Sequence, residues 1–187
     1  MRMTRPLPYF ALLVLATSLS AALAPPARAQ AQLSRIELVN STVKAERQTS
    51  VPGMALRFHF SGGDLDNNVS IVPAVEYWRD VDEVNNPFLR LTQRDWNLGS
   101  DVRYTFNIGR SWRPYAGAGL WLHLLHSSRE ERGQPTSFEN HRKFAPDLIA
   151  GVDLPSASFI QSSIDVSYHM VSDLKQLKVN WGIGVKI

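Results

Sequence analysis

The chain contains no cysteine. Small exported domains commonly rely on disulfides, so packing and hydrogen bonds must hold this one together. The same lack excludes attachment to a membrane through a lipidated cysteine. Beyond residue 30, no stretch stays apolar for the roughly 18 residues that a membrane-crossing helix needs. Apolar residues at helical spacing are also scarce. There is no GxSxG elbow and no phosphate-binding glycine loop.

A lasting excess of positive charge is missing too. The chain has 20 basic and 17 acidic residues, but three of the basic ones lie at the N-terminus. "MRMTRPLP" carries Arg2 and Arg5. A run of apolar and small residues follows from Tyr9 to Ala24, and then Ala27-Arg28-Ala29 forms a small-x-small cleavage site. These are the three parts of a secretory signal peptide. The run is short for a membrane anchor and is interrupted by Thr17, Ser18 and Ser20. We therefore expect residues 1–29 to be a cleaved, Sec-type signal peptide and 30–187 to be one exported domain. Arg2, Arg5 and Arg28 leave with the signal, so 17 basic and 17 acidic residues remain. That balance gives no case for a nucleic-acid partner.

What is present is period two, the mark of strands with two unlike faces. In "GMALRFHF", Met54, Leu56, Phe58 and Phe60 oppose Ala55, Arg57 and His59. In "VSIVPAVEYW", Val69, Ile71, Val75 and Tyr77 oppose Ser70, Ala74 and Glu76. Trp96, Leu98, Val102 and Tyr104 oppose Asn97, Asp101 and Arg103. Leu120, Leu122 and Leu124 oppose Gly119, Trp121 and His123. Leu148, Ala150 and Val152 oppose Asp147 and Asp153. Ile164, Val166 and Tyr168 oppose Asp165, Ser167 and His169. The closing "LKVNWGIGVKI" alternates to the last residue, with Lys178, Asn180 and Lys186 on its polar face. With "SRIELV" there are about eight candidate strands.

Two architectures make such strands. A soluble exported barrel, lipocalin-like, turns its apolar faces inward. A membrane barrel turns them to lipid and keeps polar residues inside. Three features favour the second. The polar faces carry charges of both signs, namely Arg57, His59, Glu76, Asp101, Arg103, Asp147, Asp165, His169 and Lys178, interleaved with glycines that leave room in a narrow lumen. Tyr77, Trp96, Tyr104, Phe106, Tyr168 and Trp181 fall on the apolar faces, several near strand ends, where interfacial girdles lie. The linkers alternate in length, with long polar ones at 41–52, 79–93 and 127–143. The expectation is all-β: an eight-stranded antiparallel up-and-down transmembrane β-barrel, its charged lumen plugged and its polar loops extracellular.

The leader, the "PYAGAGL" strand opening, the alternation and the terminal "WGIGVKI" resemble the small outer-membrane β-barrels of Gram-negative bacteria, the OmpA-transmembrane-like and OmpX-like families. The likeness covers nearly all of residues 30–187. It implies location in the cell outer membrane, contact with outer-membrane lipid and lipopolysaccharide, and insertion by the outer-membrane assembly machinery. That machinery usually reads a terminal Phe; this chain has Ile187, with Trp181 in the aromatic register. A monomer without cofactor or metal is expected, in a structural or interaction role rather than as an open, porin-like channel.

One enzymatic alternative stays open. Some small outer-membrane barrels are lipid A deacylases with a late-strand His-x-Ser-Asn motif, and "SYHMVSDLKQ" is similar in position. The weak catalytic candidates are His169 and Ser172. Residues three apart lie on opposite faces of a strand, and a His–Ser pair needs hydrogen-bond reach. A lumen histidine paired with a carboxylate is the plainer expectation. His123 and His126, also three apart, suit no zinc site on a strand.

Overall fold

The computed structural model describes residues 31–45, 50–62, 68–85, 88–108, 112–131, 134, 136–155, 159–172 and 175–187. The expected signal peptide lies outside them. Eight strands follow in chain order: β1 (Gln32–Ala45), β2 (Ser50–Ser61), β3 (Val69–Asn85), β4 (Phe88–Thr105), β5 (Arg113–Glu131), β6 (Ser137–Asp153), β7 (Ile160–His169) and β8 (Gln176–Lys186). Each pairs antiparallel with the next, and β8 returns to β1 to close the barrel. Closure leaves the ring without an open edge, the one sheet arrangement that lipid tolerates. Among the described residues, no helix is long and apolar enough to cross a membrane.

The pleat sorts the side chains. Leu38, Met54, Leu120, Leu148, Ile183 and Val185 are exposed on the outer wall, Leu120 at 58% and Ile183 at 47%. Leu122 and Leu124 share that face. The alternate residues point inward, and Glu37, Asp95, His123 and Lys178 are 0% exposed. An apolar-lined interior, as a lipocalin-like barrel would have, is therefore not the arrangement here. Outside, Tyr77 packs on Trp96 with ring centroids 4.7 Å apart, and Tyr104 packs on Phe106 at 5.1 Å. Those pairs mark the two ends of the outer apolar band.

The connections differ from the sequence expectation. The stretches 79–93 and 127–143 read as long loops, yet they are mostly paired strand. β3 and β4 stay in register up to Asn85↔Phe88, and β5 and β6 up to Arg129↔Ser137. Likewise β1 runs to Ala45 and β2 begins at Ser50. Past the apolar band both faces of a strand meet water, so the alternation fades while backbone pairing continues. The result is a four-stranded sheet, β3–β6, standing above the rest of the rim. At the opposite end, Gly62 takes φ 78° just after β2, a left-handed conformation that suits glycine.

Candidate functional site: a charged, packed lumen

The inward residues form tiers along the barrel axis. In the lowest tier, near Gln32 and Lys186, Arg35 Nη1 donates to Asp153 at 2.9 Å and Arg35 Nη2 lies 3.0 Å from His59 Nδ1. His59 Nε2 is 2.9 Å from Glu37, and Ser163 Oγ donates to the same carboxylate at 2.5 Å. In the next tier, Arg57 grips Asp165 with both guanidinium nitrogens, at 2.6 and 3.2 Å. This bidentate geometry is the strong form of the pair. Tyr115 and Asn180 donate to the same carboxylate at 2.9 and 2.6 Å. Asp165 is thus a hub tying β2, β5, β7 and β8 together.

Higher up, Asp101 accepts from Arg103 and from the Trp121 indole, each at 2.9 Å. Asp101 and Asp147 flank Gly119 in register, and both carboxylates close over it. A Cβ there would collide with each, so the missing side chain of Gly119 is what admits them. Lys178 donates to Glu76 at 2.8 Å and lies 5.7 Å above the Trp121 ring. Asp95 then meets His123 Nδ1 at 2.8 Å, and His123 Nε2 is 3.3 Å from His169 Nδ1. With Asp95 ionised, His123 donates to it and accepts from His169, an Asp–His–His chain closed off by Trp121 packed on His169. The topmost lumen tier is apolar: Val43, Val51, Trp78 and Leu125 pack together.

Such buried charges are tolerated only when paired and hydrogen-bonded. Arg57, Arg103 and Lys178 meet that demand with Asp165, Asp101 and Glu76, whereas both carboxylate oxygens of Asp147 are buried without a hydrogen-bond partner among the described residues; the side chains leave the lumen packed. Two cavities lie at opposite ends of this packing, about 300 Å³ at the end holding Gln32 and Lys186 and about 620 Å³ against the projecting sheet.

Neisserial surface protein A aligns with a TM-score of 0.62 and 14% identity, over 82% of this chain and 96% of that one. Ail of Yersinia pestis, solved with the heparin analogue sucrose octasulfate, aligns at 0.59 and 13%, over 83% and 97%. A major outer membrane protein of Thermus thermophilus aligns at 0.61 and 9%, over 83% and 100%. This is the fold of the small eight-stranded outer-membrane β-barrels. No family model matches the sequence, and no curated protein matches it.

Within that outer-membrane barrel fold, the residues singled out from sequence fall as follows. Arg57, His59, Glu76, Asp101, Arg103, Asp147, Asp165, His169 and Lys178 are all buried in the lumen. They form the tiers above rather than one cluster. Lys186 shares their face but is exposed at the rim. His169 and Ser172 are not brought together: His169 is buried against His123 and Trp121, while Ser172 is exposed in the β7–β8 connection. The Ser172 carbonyl instead accepts from Lys143 at 2.6 Å. Ser167, on the face of His169, accepts from Asn180 at 3.3 Å. Among the described residues, no group of three or more His, Cys, Asp or Glu side chains is placed to hold a metal. Sequence reasoning missed the apolar tier. Trp78 shares parity with Glu76, and Leu125 with His123; that parity was the available signal.

Proposed function

We propose that the protein is an integral outer-membrane barrel that crosses the bilayer without forming a pore and works as an interaction protein through its projecting sheet. The observation that carries this is the unequal wall. β3 stays paired with β4 for seven residues beyond Trp78, the last residue of β3 in register with β2. That is roughly 23 Å of extra strand at about 3.3 Å per residue. Among the described residues, this part of β3 has β4 as its strand neighbour, and its other edge offers backbone groups to a partner strand.

The four projecting segments, 79–85, 88–94, 126–131 and 137–143, hold six basic and six acidic residues. Ail was solved with a sulfated polyanion, but a charge-balanced sheet does not single out that class. It fits a protein surface better. A packed lumen supports the absence of conduction, and a monomer in contact with outer-membrane lipid and lipopolysaccharide is consistent with the apolar wall. Insertion by the assembly machinery belongs to the same reading. A lipid A deacylase receives no support from the separated His169 and Ser172.

The cysteine-free sequence makes the test direct. Ser137→Cys on the projecting sheet and Pro155→Cys in the β6–β7 connection would be probed on intact cells with a membrane-impermeant maleimide. Labelling of the first alone, together with no conductance steps in planar bilayers, is the expected result. Reversed labelling, or stable channel steps, would overturn the proposal.

A further inference from the structure

The cavity at the end holding Gln32 and Lys186 is built unlike the rest of the molecule. All eight strands contribute a residue to its wall: Arg35 from β1, His59 from β2, Ser70 from β3, Thr105 from β4, Arg113 from β5, Asp153 from β6, Gln161 from β7 and Lys186 from β8. Deeper in the lumen each cation meets an acid. Here Arg35, Arg113 and Lys186 outnumber the acids of the wall, Asp153 and the Ile187 carboxylate. Asp153 is engaged by Arg35 at 2.9 Å, and among the described residues Arg113 and Lys186 have no ion pair. Lys186 even stands in register with Arg35, cation beside cation. Arg35 is 6% exposed, and its Nε is buried without a hydrogen-bond partner.

Like charges gathered at the mouth of a recess, with Arg35 buried behind the exposed Arg113 and Lys186, raise the local concentration of counter-ions. Hydroxyl and amide groups of Ser70, Thr105 and Gln161 complete a circle of donors around the space. Donors arriving from every side suit a tetrahedral oxyanion, which accepts in all directions, better than a planar carboxylate. The volume of about 300 Å³ is at the lower limit of small-ligand sites. It accommodates a phosphate carrying a short polar substituent.

We propose that this vestibule is an anion-binding site for a phosphate monoester or diester the size of glycerol phosphate. Arg113 and Lys186 hold the charge, and the Arg35–Asp153 pair forms the floor. Such a phosphate is available either as a free solute or as the headgroup of a phospholipid in the adjacent leaflet.

The test uses the folded full-length barrel in uncharged detergent micelles, titrated by calorimetry with sn-glycerol 3-phosphate, and in nanodiscs with or without phosphatidylglycerol. Saturable binding that weakens with salt is expected, with glycerol itself inert. The double substitution Arg113→Gln with Lys186→Gln lies at the exposed rim, so the heat-modifiable gel shift should be retained. It should weaken binding at least tenfold, while Arg113→Lys should retain most of it. Binding of the free ester points to a soluble phosphate. Binding seen only as enrichment of phosphatidylglycerol around the wild type, and lost in the double variant, points to the lipid. If neither ligand binds, or if both bind the double variant as well as the wild type, the site does not exist.

Discussion

The two halves of the barrel wall are built to different lengths. β1, β2, β7 and β8 have 14, 12, 10 and 11 residues. β3 to β6 have 17, 18, 19 and 17. A tilted strand needs about 9–11 residues to cross a bilayer. The short half therefore spends nearly all of its length in crossing. The long half has about six to ten residues beyond that need, which in the proposed function continue as a sheet in water. Membrane crossing sets the minimum in both halves, and only the surplus is free to serve another purpose. The two halves also divide the interior. The short half supplies Arg35, Glu37, Arg57, Asp165 and Lys178, while the long half supplies the acids and aromatics that complete their tiers.

The most damaging way to probe the short half is Asp165→Ala. Asp165 is 2% exposed and accepts from Arg57, Tyr115 and Asn180. Removing it leaves the Arg57 guanidinium buried without its close partner. Breaking a buried pair by deleting one member typically costs about 3–5 kcal/mol. The urea midpoint of the folded barrel in phospholipid vesicles should fall accordingly. A shift below about 1 kcal/mol would show that the tier is wet or rearranges, and that the short half is not held by this hub.

The contrast between the halves also explains what the sequence revealed. Where a strand crosses lipid, one face must be apolar and the other polar, so "SSIDVSYHM" and "LKVNWGIGVKI" can be read residue by residue. The closing strand does pair with β1 and β7. Above the membrane that constraint lapses. "RDVDEVN" and "SFENHRK" look like linkers because neither face must be apolar, although their backbones remain paired with neighbours. The lumen partners were hidden for another reason. Parity says that Asp165 points inward; only the stagger of eight strands around a closed ring decides that Arg57, 108 residues away, reaches it. Trp78 was obscured by its own chemistry, since an aromatic side chain suits a girdle as readily as a plug.

Within the long half, Leu120→Arg tests where lipid begins. Leu120 is the middle one of the outward residues Ala116, Ala118, Leu120, Leu122 and Leu124, and it is 58% exposed. A charged side chain at the bilayer midplane destabilises a barrel by about 2–4 kcal/mol. The midpoint in vesicles should fall by that amount, and the loss should shrink in detergent, where the apolar layer adapts to the charge.

Phe138→Arg is the matched and smallest case. Phe138 is 64% exposed, close to the value for Leu120, and lies on β6 of the same long half. Its register partner is Ser128, and its ring is 5.9 Å from the His126 ring. Exposure alone would rank the two substitutions as equals. The difference lies in what each side chain is exposed to. Ser128, Glu139, Asn140 and His141 around Phe138 are polar, and this part of the wall stands above the Tyr77–Trp96 pair that closes the apolar band. Arginine there meets water and loses one weak ring contact, so the midpoint should move by less than about 0.5 kcal/mol, the usual range for surface changes. Measured side by side in the same vesicles, the two variants should differ at least fourfold in their effect. Equal losses would place Phe138 in lipid, and the long half would then be a tilted crossing rather than a crossing with a sheet above it.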